Sequence, residues 1–337
     1  MSFLTKPDEN FINMLKQSAS DIPEERHEAM AGIATAIQTP LREGVLYGDI
    51  TGNIFERVQM APGTSTEFPL DLLSPGQEDD FIAYVIPQHG RIPERNVQGD
   101  YVMIPTYTIG NSVDWLLRYA REARWDIVTR ATQVLEAGFV KKMNDDAWHT
   151  LLAAGVDRNI LVYDVDAAAG QFTKRLISMM KVVMRRNAGG NSTSLKRGRL
   201  TDVYMSPEGA EDMRNWGVDQ LDEVSRREVY VASDNAGSLS RVFGVNINAL
   251  DELGEGQQYQ NYYEDSLSGT YGPSSDVELV VGLDLSANDS FIMPLKQEVT
   301  IFEDRDNMHR QQRAGLYGWA ELGFGVLDNR RVLLGSF

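Results

Sequence analysis

The stretch from Val113 to Ala154, VDWLLRYAREARWDIVTRATQVLEAGFVKKMNDDAWHTLLAA, constrains this chain more than any other. It has no proline and one interior glycine, Gly138. Leu116, Ala120, Ala123, Ile127, Ala131, Val134 and Gly138 recur at spacings of three and four, which is one face of a helix. Small residues dominate that stripe, so another element can pack close against it. Arg118, Arg121, Glu122, Arg124 and Arg130 fall largely off the stripe, where they can stay in water. Gly155 stands where a left-handed cap would end the helix. At about 1.5 Å per residue the helix is predicted to run roughly 60 Å. That exceeds the span of one compact domain and implies a flat, extended subunit with other parts laid along a spine.

The 337 residues suffice for one large domain or two ordinary ones. With 42% hydrophobic residues a sizeable core is possible. The net charge of −17 argues against nucleic-acid binding by bulk charge. With no cysteine, disulfides, thiolate zinc sites and cysteine nucleophiles are excluded. The opening MSFLTKPDENFINMLKQ lacks the apolar core of a signal peptide, and no apolar run approaches the length of a membrane span. The expectation is a chain made in the cytoplasm and not exported, with no membrane partner.

Residues 1–40 read as a helical arm. Phe11, Met14 and Leu15 give one amphipathic turn; a second helix starts at Pro23 and is expected to end at Pro40. The arm is too weakly apolar to fold alone and is expected to lie on other surfaces. Residues 53–108 are extended, broken by prolines and rich in β-formers, with Pro75-Gly76 as a turn between two halves. Two readings stand: long β arms meeting at a tip and supported by a neighbouring subunit, or a meander within one domain. An isolated two-stranded hairpin is only marginally stable in water, so long arms need that support.

Residues 156–290 read as a mixed α+β domain. Phe172, Leu176, Met180 and Val183 share one helix face, with Lys174, Lys181 and Arg185 opposite. AGGNSTS reads as a loop. LTDVYMSPEGAEDMRNW reads as a buried strand entering a helix, with Ser206 as N-cap and Pro207 in the first turn. EGQQYQNYYEDSLSGTYGPSSD reads as a loop or edge. Val277, Leu279, Val281, Leu283 and Leu285 alternate, predicting a strand with one buried face. Near the end, QEVTIFED and LYGWAELGFGVLDNRRVLLGSF are strand signals, the latter with Leu316, Ala320, Leu322, Phe324 and Val326 on one face. No internal repeat or low-complexity stretch is present.

Catalytic patterns are weak. The histidines His27, His89, His149 and His309 form no paired ligand spacing. Asp145, Asp146 and His149 lie within one turn, but such a cluster reads first as a solvated helix face. No phosphate loop and no nucleophile elbow occurs. Ser178 and Lys181 make an S-x-x-K, and Ser233-Asp234-Asn235 an S-D-N, two of three β-lactamase signatures; the third is missing, with only SGT at Ser268–Thr270. Ser178 is expected to be buried mid-helix, where it could not act. Asn191-Ser-Thr and Asn288-Asp-Ser match the glycosylation pattern but lack a secretory route. From Gln171 to Leu200 there are eight lysines and arginines and no acid. Two readings stay open: a patch facing phosphate, and, preferred here, a counter-surface for an acidic neighbour.

An arm, a long hairpin, a spine helix, a mixed α+β domain and returning strands follow in order. With GRLTDVYMSPEGAEDMRN and the segment from VVGLDLSAND to the final RRVLLGSF, this order resembles the major capsid proteins of tailed bacteriophages, the Hong Kong 97-like fold. The resemblance implies an α+β subunit covering nearly the whole chain. Residues 1–40 would be the N-terminal arm. Residues 41–53, 109–155 and 291–315 would form the P-domain with its spine helix. Residues 54–108 would be the E-loop, an extended β-hairpin, and residues 156–290 and 316–337 the A-domain.

What the resemblance implies is a major head protein that self-assembles into hexamers and pentamers of an icosahedral shell around double-stranded DNA. Its partners would be itself, a portal protein, the packaged DNA held non-specifically, and separate scaffold and decoration or cement proteins. Its location would be the virion capsid, with the host cytoplasm during assembly. It would carry out no chemistry, so no catalytic, cofactor or metal residues are expected. The best-known member cross-links an E-loop lysine to an asparagine; here no lysine occurs between Lys16 and Lys141, so no such bond is expected. Only some 40 residues precede the E-loop region, so the expectation is a separate scaffold or none, and little processing. At the E-loop, Arg91, Arg95, Glu78, Asp79 and Asp80 could pair with neighbours, but exposed pairs contribute only about 0–1 kcal/mol each and are not read as sites. Two rivals remain: an encapsulin-type nanocompartment shell, and a serine hydrolase using Ser178 and Lys181.

Overall fold

The computed structural model describes residues 9–20, 22–48, 50–61, 63–69, 101–122, 124–168, 170–187, 198–216, 238–273, 276–286, 290–304 and 312–337. In chain order its elements are α1 (Glu9–Gln17), α2 (Pro23–Gly48), β1 (Glu56–Gln59), β2 (Glu67–Pro69), β3 (Tyr101–Met103), β4 (Tyr107–Leu116), α3 (Leu117–Arg121) and α4 (Trp125–Asp157). There follow β5 (Leu161–Tyr163), α5 (Lys174–Asn187), β6 (Asp202–Met205), α6 (Pro207–Arg214), β7 (Ser238–Val242), β8 (Val245–Ala249) and α7 (Gln258–Asn261). The chain closes with β9 (Leu279–Leu283), β10 (Phe291–Glu303), β11 (Arg313–Leu322), β12 (Gly325–Val326) and β13 (Val332–Ser336).

The described residues fall into two compact units. The first draws on Met1–Thr66, Ile104–Ala147 and Ile292–Gly325; the second on Glu67–Met103, Trp148–Phe291 and Val326–Phe337.

In the first unit, α1 and α2 pack together. Met30, Ile33, Ile37, Leu41 and Val45 recur at helical spacing and are all buried. Their face continues past Pro40, so the helix does not end there as expected but runs on to Gly48. Proline removes one backbone donor; burial of Ile37 and Leu41 on either side outweighs that loss. The sheet of this unit has the order β1-β10-β11-β4, with β12 also on β10. β1 runs parallel to β10 from Glu56↔Ile292 to Gln59↔Leu295. Leu316, Gly318, Ala320 and Leu322 form the buried face of β11.

The long helix is shorter than the sequence predicts. Val113–Leu116 belong to β4, which pairs with β11 from Tyr107↔Leu322 to Leu116↔Arg313. Trp115 is buried and Asp114 accepts an ion pair from Arg313 at 2.8 Å. These cross-strand contacts override local helix propensity. After the single turn of α3, α4 holds 33 residues, about 50 Å. Its buried line is also rotated. Val128, Thr132, Leu135, Phe139 and Met143 face inward, whereas Val134 is 57% exposed. Of the expected stripe Ala120 and Ala131 are buried, but along α4 the larger side chains supply most of the core face. Close packing does occur at Gly138, where a Cβ would collide with the Asn111 side chain of β4. Gly155 is not a cap: α4 continues to Asp157, and the left-handed residue is Asn159, at φ 52°. Gly155 is small because the Leu334 side chain lies against it.

The second unit holds a six-stranded sheet of order β5-β13-β9-β6-β8-β7. β6 runs parallel to β8 and antiparallel to β9, while β13 is parallel to β5 and antiparallel to β9. One face carries α5, whose Leu176, Ile177, Met180 and Met184 pack in a cluster with Val203, Met205, Ile247 and Leu333. Val183 packs against the same cluster as expected, though only partly buried. Tyr204 of β6 instead meets Trp148 edge-on at 5.0 Å, and Tyr259 of α7 stacks on the same indole at 5.8 Å. Central β9 is therefore buried at all five positions, not on one face. Ser206 caps α6 as expected, accepting from Gly209 N at 3.1 Å, and Pro207 opens the helix. Two expectations need correcting. Residues 258–266 are helical, as α7 and a π turn at Tyr262–Ser266, because Tyr259 and Tyr263 are buried. And the final stretch is not one strand: β11 joins the first unit's sheet, and β13 sits inside the second's.

Of the expected hairpin, β2 and β3 are described, antiparallel from Glu67↔Met103 to Pro69↔Tyr101. Its further reach, with Pro75, Gly76, Glu78–Asp80, Arg91 and Arg95, lies outside the described residues, as do AGGNSTS and Ser233–Asn235.

Candidate functional site

Among the described residues, the patterns that hinted at chemistry are not assembled into a catalytic arrangement. Ser178 is exposed on α5, contrary to the expectation that packing would bury it. Lys181, its proposed partner, donates from Nζ to the Phe243 carbonyl at 2.6 Å. A lysine committed to a carbonyl is not positioned as a base for Ser178. Asp146 accepts from Tyr107 Oη at 2.6 Å and from Lys142 Nζ at 2.7 Å. Burial, reinforced by this carboxylate, pushes the Tyr107 phenol well above its ordinary value. His149 stacks on Tyr262 at 3.7 Å. No group of three metal-ligating side chains occurs among the described residues. No described helix is long and apolar enough to cross a membrane.

One cavity of about 260 Å³ lies within the first unit, lined by Arg42, Val45, Arg57, Met143, Leu295 and Leu322 among others. Arg42 ion-pairs with Glu298 and donates from Nε to the Val299 carbonyl at 3.2 Å. The lining combines apolar side chains with Arg42, Arg57, Gln59 and Glu298, and contains no hydroxyl or imidazole nucleophile.

The exposed surface is more informative. β3 presents Tyr101 and Met103 at 69% and 65% exposure, and Val102 is partly exposed beside them. On the first unit's sheet, Phe302 lies against Trp319 at 4.8 Å and against Tyr317 at 5.7 Å. Trp319 is itself exposed. β4 is an edge of this sheet, with no further strand beside it among the described residues. An open edge and a cluster of part-exposed aromatics are features that another chain's backbone and side chains can cover. Sequence reading missed the aromatic trio, because Phe302, Tyr317 and Trp319 become neighbours only through the β10–β11 register.

The second unit buries polar groups deliberately paired. Ser206 Oγ donates to the Glu278 carboxylate while accepting from Gly209 N. Burial holds the Glu278 carboxyl above its ordinary value; the Ser206 bond opposes this, and nearby Glu208, Asp212 and Glu255 reinforce it. Arg158 donates to the carbonyls of Arg330 and Val332 at 2.7 and 2.6 Å, and burial lowers its pKa. These contacts fix strand ends and complete no reaction centre.

No protein-family model matches the chain, and no curated protein matches its sequence. Solved structures do match in fold. A chain of the cyanophage Pam1 capsid asymmetric unit aligns at TM-score 0.55 and 12% identity, covering 84% of this chain and 88% of that one. The capsid of a native GTA particle aligns at 0.54 and 14%, covering 87% and 90%. The head of Helicobacter pylori bacteriophage KHP40 aligns at 0.53 and 9%, covering 84% and 86%. The chain thus has, over most of its length, a mixed α+β fold shared with phage capsid proteins.

Proposed function

We propose that this chain is the major capsid protein of a tailed double-stranded DNA phage, a structural subunit without catalytic activity. The observation that carries the reading is the fold, shared over most of this chain and most of each capsid chain. The exposed apolar base of the β2–β3 hairpin, the aromatic trio and the open β4 edge support it, since a shell subunit needs surfaces for its neighbours. In this reading the E-loop of residues 54–108 reaches over an adjacent copy and α4 is the spine. Copies form hexamers and pentamers of an icosahedral shell, joined by a portal and aided by separate scaffold and cement proteins. The shell holds without lysine–asparagine cross-links. Its net charge of −17 is compatible with DNA driven in by a motor rather than attracted.

The test is the content of purified particles. Nuclease-resistant double-stranded DNA is expected inside them. A co-purified protein cargo without nucleic acid would transfer the chain to the nanocompartment reading.

A further inference from the structure

The second unit's sheet has two chemically different ends. β5, β13, β6 and β8 run one way and β9 and β7 the other, so the ladders bring specific connections together. At the end where β6 and β8 finish and β9 begins stand Glu208, Asp251, Glu252, Glu255, Asp276 and Glu278. The connections there, 249–257 and 267–278, contain no lysine or arginine. Among the described residues α5 also begins at this end, with Lys174 and Arg175, and Arg175 is occupied by Asp164 and Asp166.

At the opposite end the exposed charges are mainly basic: its carboxylates Asp202, Asp284 and Asp328 accept from Asn246 Nδ2, Arg199 N and Arg330 Nε within the fold. α5 crosses from β5 to β6, so its last turn, with exposed Arg185 and Arg186, lies at the end where β6 begins. Lys181 bonding to Phe243, in the β7–β8 turn, fixes that placement. Exposed Arg199 precedes β6. Two apolar side chains stand among these cations: Val182 at 48% exposure and Phe243 at 52%.

Phe243 is the unusual one. Val242 and Val245 pair across a two-residue turn in which Phe243 has φ 51° and Gly244 φ 76°. That turn favours asparagine or glycine at both positions; a bulky aromatic there is strained. A strained residue that also exposes its ring points to a role outside its own fold. An exposed aromatic at the end of the sheet that also carries Arg185, Arg186 and Arg199 has the aromatic-and-arginine composition of an interface hot spot. The acidic end carries matching apolar ground, with Val165 and Val277 exposed.

We infer that the basic end of this sheet, centred on Phe243 and rimmed by Arg185, Arg186 and Arg199, docks onto the acidic end of the same sheet in a second copy. The contact is head-to-tail, so a rotation that closes it generates a ring. This rests on the shell reading and names the contact that would join subunits within a ring. A second copy fits better than nucleic acid, because the same fold supplies the complementary charge and an apolar patch for the ring of Phe243.

The test uses the full chain and reads the lowest concentration at which rings or shells form. Phe243→Asn suits the turn, so the unassembled subunit should melt no lower than wild type while assembly needs about tenfold more protein. Arg185→Glu with Arg186→Glu, and separately Asp251→Lys with Glu255→Lys, should each weaken assembly to a similar degree. All four changes in one chain restore opposite charges at the contact and should recover assembly to within about threefold of wild type. Both charge reversals assembling as wild type, or the fourfold variant recovering nothing, would overturn the inference. So would arginine variants that assemble normally but lose packaged DNA, which would assign the basic end to phosphate. Those outcomes leave the shell reading standing; wild-type protein that forms no rings or shells would defeat both.

Discussion

Replacing Gly138 should destabilise the subunit, and the sign should reverse when Asn111 is shortened. Gly138 lies inside α4, where alanine would ordinarily gain about 1 kcal/mol of helix stability. Here an added Cβ would run into Nδ2 of Asn111, with Asn111 Cγ at 3.2 Å. Asn111 donates to the Leu135 carbonyl at 3.3 Å and accepts from Ser112 N at 2.9 Å, tying β4 to the helix. Displacing it forfeits about 1 kcal/mol of hydrogen bonding, and overpacking adds about 1–3 kcal/mol. Gly138→Ala should therefore cost about 1–3 kcal/mol net. In an Asn111→Ala background the obstruction is gone, and the same change should stabilise by about 1 kcal/mol. Urea unfolding of the unassembled subunit at constant m-value measures all four corners of the cycle. An effect of the same sign and size in both backgrounds would refute the close approach of β4 to α4.

Three further outcomes follow from the same structure. Trp148 is fully buried between Tyr204 and Tyr259, and its Nε1 has no acceptor among the described residues. Trp148→Ala should cost about 3–5 kcal/mol, whereas Trp148→Phe should stay within about 1 kcal/mol, since it removes the unpaired donor; thermal melts of each separate the two. The Glu278 carboxyl is raised above its ordinary value of 4.5 in the folded state, so the native form binds this proton more tightly than the unfolded chain. Its contribution to stability is present below that value and is lost as pH rises through the raised folded one. Glu278→Gln should flatten that part of the melting-temperature profile above pH 4.5, and an unchanged slope would remove Glu278 as its source. Boiling particles in SDS should release monomer at 37.7 kDa, because no lysine stands between Lys16 and Lys141; a covalent ladder would contradict this.

Local signals were legible where local physics decides. Ser206 and Pro207 mark the start of α6 because capping depends on three adjacent residues. Pro23 opens α2 for the same reason. Failures cluster where partners distant in sequence decide. Val113–Leu116 satisfy a helical pattern as well as a strand's, and only pairing with Arg313–Leu316 selects the strand. Val134 looked like core because it shares spacing with small residues; the larger Leu135 and Phe139 take the inward positions instead. Pro40 ended the helix on propensity, yet burial of Leu41 and Val45 carried it on. The candidate surfaces were hidden for a related reason. Phe302 and Trp319 meet across a ladder, and the opposed charges of the second sheet's ends emerge only once strand directions are known.

Electron microscopy of the purified protein, with light scattering for mass, addresses the central claim most directly. The account predicts closed icosahedral shells, or rings of five and six copies. A compact monomer or dimer that persists when a scaffold and the other head proteins are co-expressed would contradict it.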